Sequence, residues 1–183
     1  MKQDALGKEL LHQARAAIEE ALGGSTCPPP ADLQELKEPG ATFVTLTKQG
    51  QLRGCIGSLQ AHRPLIADVR ANAVAAALND PRFYSLETNE LKQIKVEVSL
   101  ILPPEDLPFS DEDDLLQKLV PYVDGVIISS GTHRATFLPQ VWEQLPDPKQ
   151  FISHLKQKSG LPSDTPMETF SVQRYRAQKW KEA

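Results

Sequence analysis

From Asp4 to Leu22 the apolar residues Leu6, Leu10, Leu11, Ala14, Ala17, Ile18 and Ala21 recur every three or four positions, and Gly23-Gly24 follow. That spacing predicts a long amphipathic helix with a glycine stop. Between Gly40 and Thr47 the pattern changes to alternation, with Ala41, Phe43, Thr45 and Thr47 set against Thr42, Val44 and Leu46. Lys48-Gln49-Gly50-Gln51 reads as a turn before Leu52–Ile56, so a β-hairpin is expected whose second strand carries Cys55. After Pro64, the segment Leu65–Leu78 has small and apolar residues on most faces, and Asn79-Asp80-Pro81 ends it. A helix of that composition is expected to pack tightly against a sheet.

Further along, Val96, Val98 and Leu100 alternate with Lys95, Glu97 and Ser99, the pattern of a half-buried strand, and a proline-rich crossover follows. Ser110 reads as an N-cap, Asp111-Glu112-Asp113 complement the first turn of a helix, and Leu115, Leu116 and Leu119 carry its apolar face to about Tyr122. Asp124-Gly125 then turns into Val126–Ser130, Gly131 breaks the run, and Arg134–Leu138 returns as a second hairpin. Pro139 opens a helical turn through Val141, Trp142 and Leu145. A further helix is expected from Pro148 to Lys158, ending near Gly160, and Glu168–Arg176 alternates as a final strand. Hairpins separated by helices predict an α+β protein with a mostly antiparallel sheet packed by helices, rather than a doubly wound parallel one. A single domain over residues 1–183 is the expectation for this length.

Composition narrows the function classes. With 183 residues, 40% of them hydrophobic, the chain can bury a core of its own. A net charge of -4 disfavours general affinity for nucleic acid or an anionic membrane. The tail Arg174–Lys181 is the one cluster of basic and aromatic residues, and it reads as a solvated terminus. Apolar runs are too short for a membrane span, and Met1-Lys2-Gln3-Asp4 does not lead into a continuous apolar signal region, so a cytoplasmic location is expected. Two cysteines, Cys27 and Cys55, are too few for a disulfide framework, and Cys55 is expected as a reduced thiol.

Arg53-Gly54-Cys55-Ile56-Gly57 sets a thiol between glycines and close to a cation. A nearby arginine favours the thiolate, which makes Cys55 a candidate catalytic nucleophile with Glu97 and His133 as candidates for moving protons. The plainer reading is a glycine-accommodated bulge at a sheet edge, with Cys55 a small buried hydrophobe and His133 a loop histidine. Arg53 and Arg82, together with Glu97 and Cys55, would suit an anionic group, and Gly54 and Gly57 permit close backbone approach. Thr136 and Gln140 flank a strand-to-helix transition, where exposed amides bind an anion or simply form a cap and turn. No spacing of His, Cys, Asp or Glu resembles a metal site, so neither metal nor resident cofactor is expected. The phosphate-loop, dinucleotide and serine-hydrolase motifs are absent from the sequence.

Taken in order, Gly40–Leu46, Leu52–Gly57, Asp80-Pro81-Arg82-Phe83, Glu97-Val98-Ser99, Ala135–Trp142 and Lys156–Leu161 resemble the AMMECR domain family, whose bacterial and archaeal members are called AmmeMemoRadiSam system protein A. The resemblance covers nearly the whole chain. It implies an α+β fold with a larger sheet-bearing part and a smaller subdomain, and a site around Arg53–Gly57. It also implies association with a Memo-like protein, itself similar to metal-dependent aromatic-ring dioxygenases, and with a radical S-adenosylmethionine enzyme. The 156–161 motif departs from the family pattern: cysteine and alanine are missing near Gln157 and Ser159, which weakens any role for a second thiol there. Two readings stand. One is an enzyme using thiolate Cys55 as nucleophile or redox group, with Arg53 lowering its pKa and Glu97 or His133 handling protons. The other is a non-catalytic component that binds and presents a substrate or partner. The second reading tolerates Cys55→Ser but not a bulky residue at Gly54 or Gly57.

Overall fold

A computed structural model describes residues 2–183. The chain divides into two compact units, one running to Ile101 and taking in Gln178–Ala183, the other formed by Leu102–Ala177. In the first, the long periodic segment is helix α1 (Lys2–Ala21), and a short α2 (Gln34–Lys37) precedes β1 (Ala41–Lys48) and β2 (Gln51–Gly57). Gln49 and Gly50 both take left-handed φ values, 52° and 77°, the two-residue turn whose twist matches that of the flanking strands. Then come α3 (Leu65–Leu78) and β3 (Ile94–Ile101). The sheet has the order β2-β1-β3-β8, where β8 is Ala177–Lys181, and β1 runs antiparallel to both of its neighbours.

Val44, Leu46, Val96 and Val98 form a fully buried face covered by Leu10, Ala14 and Ile18 of α1 and by Val69, Ala73 and Ala76 of α3. The alanines of α3 let helix and sheet backbones come close, as the sequence pattern predicts. Because side chains alternate along a strand, the opposite face displays Phe43, Thr45, Cys55, Glu97 and Ser99. A buried carboxylate locks the edge of this unit. Asp68 of α3, with no exposed surface, accepts hydrogen bonds from the Thr42 N–H and hydroxyl (both 2.7 Å), Ser58 Oγ (2.7 Å), Asn72 Nδ2 (3.0 Å) and Arg63 Nε (2.8 Å).

The tail is not a solvated terminus, contrary to the sequence reading. Residues 171–175 and 177–181 are strands in separate sheets, Trp180 lies against Gly7 of α1, and Arg15 binds both carboxylate oxygens of Glu182. Every partner of the tail is far away in sequence, so a basic, aromatic stretch looks unpartnered when read locally.

The second unit contains β4 (Glu105–Asp106), α4 (Glu112–Lys118), β5 (Gly125–Ser130), β6 (His133–Phe137), α5 (Pro148–Lys158) and β7 (Ser171–Tyr175), with the antiparallel order β4-β7-β5-β6. Its core centres on Trp142 stacked on Phe151, ring centroids 3.8 Å apart, among Leu115, Ile128, Ile152 and Leu155. Two local expectations change here. Asp111, not Ser110, caps α4, its side chain accepting the Asp114 N–H at 2.8 Å. The helix also ends at Lys118, short of Tyr122: Pro121 disfavours helical geometry at Val120, and the buried Asp124 carboxylate takes the Val120 N–H at 2.9 Å. Pro139 opens a helical turn as expected, of the 3-10 type, over Pro139–Glu143. The whole is α+β with two antiparallel sheets, as the hairpin pattern predicts.

Candidate functional site

The Arg53–Gly57 segment lies on β2, an edge strand, and contains a bulge. Gly54 pairs with Leu46 while Leu52 pairs with Thr47, which leaves Arg53 as the extra residue. A Cβ on Gly54 would overlap the carbonyl oxygen of Ala76 in α3, and one on Gly57 would overlap the Phe43 ring and the Thr42 carbonyl. The two glycines therefore exist for close packing on opposite faces of the strand, and Cys55 is held between them.

Cys55 donates its N–H to Asp80 Oδ2 at 2.9 Å, and its Sγ lies 3.2 Å from Thr45 Oγ1. Asp80 is buried and also binds the Arg82 side chain through Nε (3.0 Å) and Nη2 (2.8 Å), while Arg82 Nη2 reaches the Cys55 carbonyl at 3.4 Å. The Asp80–Arg82 pair thus closes the outer edge of β2 at Cys55 as a neighbouring strand would. Arg82 holds the Asp80 carboxyl far below the usual carboxylate range, with the Cys55 N–H adding to the effect.

The expectation that Arg53 activates the thiol is overturned. Its guanidinium binds Glu90 with Nε at 3.1 Å and Nη2 at 3.0 Å, and Lys48 shares the same carboxylate at 2.9 Å. Arg53 in turn lowers the Glu90 pKa to about 2, helped by the Glu87 N–H and by Lys48. The cation acting on Cys55 is Arg82, and it does not prevail: burial pushes the thiol pKa up, Thr45 and Arg82 oppose this, and Asp80 and Glu97 reinforce it. Glu97 stands across Thr45 from Cys55 in the sheet, two strand spacings or about 10 Å away, so it acts through its field rather than by contact.

The remaining candidates lie in the second unit, each tied to its own surroundings. His133 Nδ1 is 2.9 Å from the Ser159 carbonyl, Thr136 Oγ1 is 3.1 Å from the Tyr175 hydroxyl, and Gln140 is exposed on the 3-10 turn. Among the described residues no group of three or more His, Cys, Asp or Glu side chains is arranged to hold a metal ion.

What the structure does assemble is a cleft of about 650 Å³ framed by Lys48, Arg53, Arg82, Phe83, Tyr84 and Glu90. Arg53, one of its lining residues, carries in Nη1 the one buried side-chain nitrogen or oxygen among the described residues with no hydrogen-bond partner. Sequence reasoning singled out Arg53 and Arg82 but missed Asp80 as their organiser, Thr45 as the thiol's partner, and Lys48, Tyr84 and Glu90. The hairpin register offered a route to Thr45. Nothing near Glu90 in the sequence announces its partner 37 residues earlier.

In a Cys27→Ser background, Cys55 alkylation is expected to titrate with a midpoint above the ordinary thiol value of about 8.5. Arg82→Ala should raise the midpoint further, since it removes the favourable cation. Iodoacetamide rates measured against pH test this, and a midpoint below the ordinary value would restore an activated thiolate.

Fold and site together define an α+β protein of two antiparallel-sheet units, with an arginine-lined cleft beside a bulged edge strand. The AMMECR1 family model matches residues 11–180, and the chain belongs to the AMMECR1 family. It is 40% identical over 161 residues to a protein of Methanothermobacter thermautotrophicus, covering 86% of this chain and 84% of that one. It is 36% identical to a protein of Thermococcus onnurineus, over 98% of this chain and 92% of the relative. The crystal structure of uncharacterized protein PH0010 from Pyrococcus horikoshii is similar, with a TM-score of 0.78, 33% identity, and coverage of 96% of this chain and 91% of that one. Among the described residues no helix is long and apolar enough to cross a membrane.

Proposed function

We propose that this protein is a non-catalytic binding component, acting as one domain over its whole length, that takes an anionic group in the Arg53–Arg82 cleft and presents the molecule carrying it to a partner. The observation that carries this reading is the charge and hydrogen-bond imbalance around Arg53. Lys48 and Arg53 share the single carboxylate of Glu90, and Arg53 Nη1 is left without an acceptor. An unmet buried donor costs about 1–3 kcal/mol, so an acceptor entering the cleft recovers an interaction that the free protein lacks. Arg82, its side chain 55% exposed, supplies the accessible second cation.

Family resemblance supports a Memo-like protein and a radical S-adenosylmethionine enzyme as the partners, in the cytoplasm. The raised Cys55 pKa favours this reading over a thiolate enzyme. Calorimetric titration of the protein with acetate and inorganic phosphate is expected to show saturable binding of at least one of the two that Arg82→Gln weakens about tenfold, the scale of one charge-assisted hydrogen bond. No binding of either ion by the folded protein would sink the proposal. Sedimentation of a mixture with a purified Memo-like protein tests the partner assignment, and unchanged sedimentation of both would remove it.

A further inference from the structure

We infer that the ligand of this cleft is an aromatic monocarboxylate, its charge held by the arginines and its ring laid on Tyr84; the inference rests on the anion-binding reading above. Three observations lead there. The cleft, at about 650 Å³, lies in the range of sites for whole organic ligands, about 300–1,000 Å³, and far exceeds what a simple anion fills.

The charge count rules against a dianion. Lys48, Arg53 and Arg82 are matched by Glu90, Asp80 and the exposed rim residue Glu87, so the cleft has no net positive charge to offset a second negative charge on the ligand. A carboxylate satisfies this arrangement where a phosphate dianion does not.

Tyr84 supplies the third observation. It is 95% exposed although it lines the cleft, and among the described residues no aromatic ring or cation stacks on it, whereas the neighbouring Phe83 ring already lies under the Arg82 guanidinium at 5.4 Å. An aromatic face left bare beside two guanidinium groups is a platform for a planar ring whose acid group points at the arginines. Binding involves no covalent step.

The test is a set of calorimetric titrations with benzoate, cyclohexanecarboxylate, acetate and inorganic phosphate, on the full chain and on Tyr84→Ala and Tyr84→Phe. Benzoate is expected to bind about three- to tenfold more tightly than either acetate or cyclohexanecarboxylate. Tyr84→Ala should bring benzoate to within about twofold of acetate, and Tyr84→Phe should retain the difference. Tyr84 is exposed and takes no part in the core, so both variants are expected to fold. Benzoate binding no better than acetate or cyclohexanecarboxylate overturns the aromatic assignment and leaves anion binding standing. Phosphate binding as tightly as benzoate overturns the monocarboxylate. Failure of all four anions to bind overturns the underlying functional reading as well.

Discussion

Gly54→Ala is expected to destabilise the protein by at least about 3 kcal/mol, the upper part of the range for overpacked cores. The added methyl group meets the carbonyl oxygen of Ala76, which is backbone in the last turn of α3 and cannot rotate away as a side chain would. Either β2 lifts off the helix or α3 shifts, and both movements disturb a core in which Ala73, Ala76, Val44 and Leu46 are essentially inaccessible to solvent. Urea denaturation measures the loss, and a decrease below about 1 kcal/mol would show that strand and helix separate more readily than the packing implies. Gly57→Ala should be costly for a related reason, since the Thr42 carbonyl stands in the way beside the more yielding Phe43 ring. Intolerance at either glycine is therefore a statement about packing. It does not separate an enzyme from a binding protein, and that discrimination falls to Arg82 and Cys55.

Asp68→Ala should cost about 3–5 kcal/mol, as removal of one partner from a buried charged network generally does. The carboxylate joins the start of β1 through Thr42, the residue after β2 through Ser58, and α3 through Asn72, with Arg63 as its ionic partner. Its loss leaves the Thr42 N–H and hydroxyl buried without that acceptor. Asp68→Asn keeps the shape but turns an amide NH2 toward a ring of donors, so it should recover only a minor part of the stability. Midpoints and slopes from urea denaturation of the three proteins decide the matter, and equal stability of Asp68→Asn and the parent would mean that the charge contributes nothing. In the sequence, Asp68 is a lone acid in an alanine-rich helix. Its importance comes from the elements that α3 packs against.

Local order along the chain determined a good deal. Helical spacing of apolar residues placed α1 and α5, and an alanine-rich run between Pro64 and Asn79-Asp80-Pro81 placed α3; alternation and the Gln49-Gly50 turn placed the first hairpin; and the hairpins separated by helices established the α+β class. These features depend on residues within one or two turns of each other, so they can be read from the chain alone. Of the two readings open for Arg53–Gly57, an activated thiol or a bulge at a sheet edge, the pairing of β2 bears out the bulge. Which groups meet there was decided only by tertiary structure. Arg53 is two residues from Cys55, yet the bulge and Glu90 claim its guanidinium, while Arg82, 27 residues away, reaches the Cys55 carbonyl through the turn that follows α3. The strand at 177–181 exists because Trp180 and Glu182 find α1 and β3, contacts invisible to any local pattern. Charge pairing acts over a few ångströms of space with little regard for distance along the chain, so sequence proximity predicted the strands correctly and the electrostatics of the thiol wrongly.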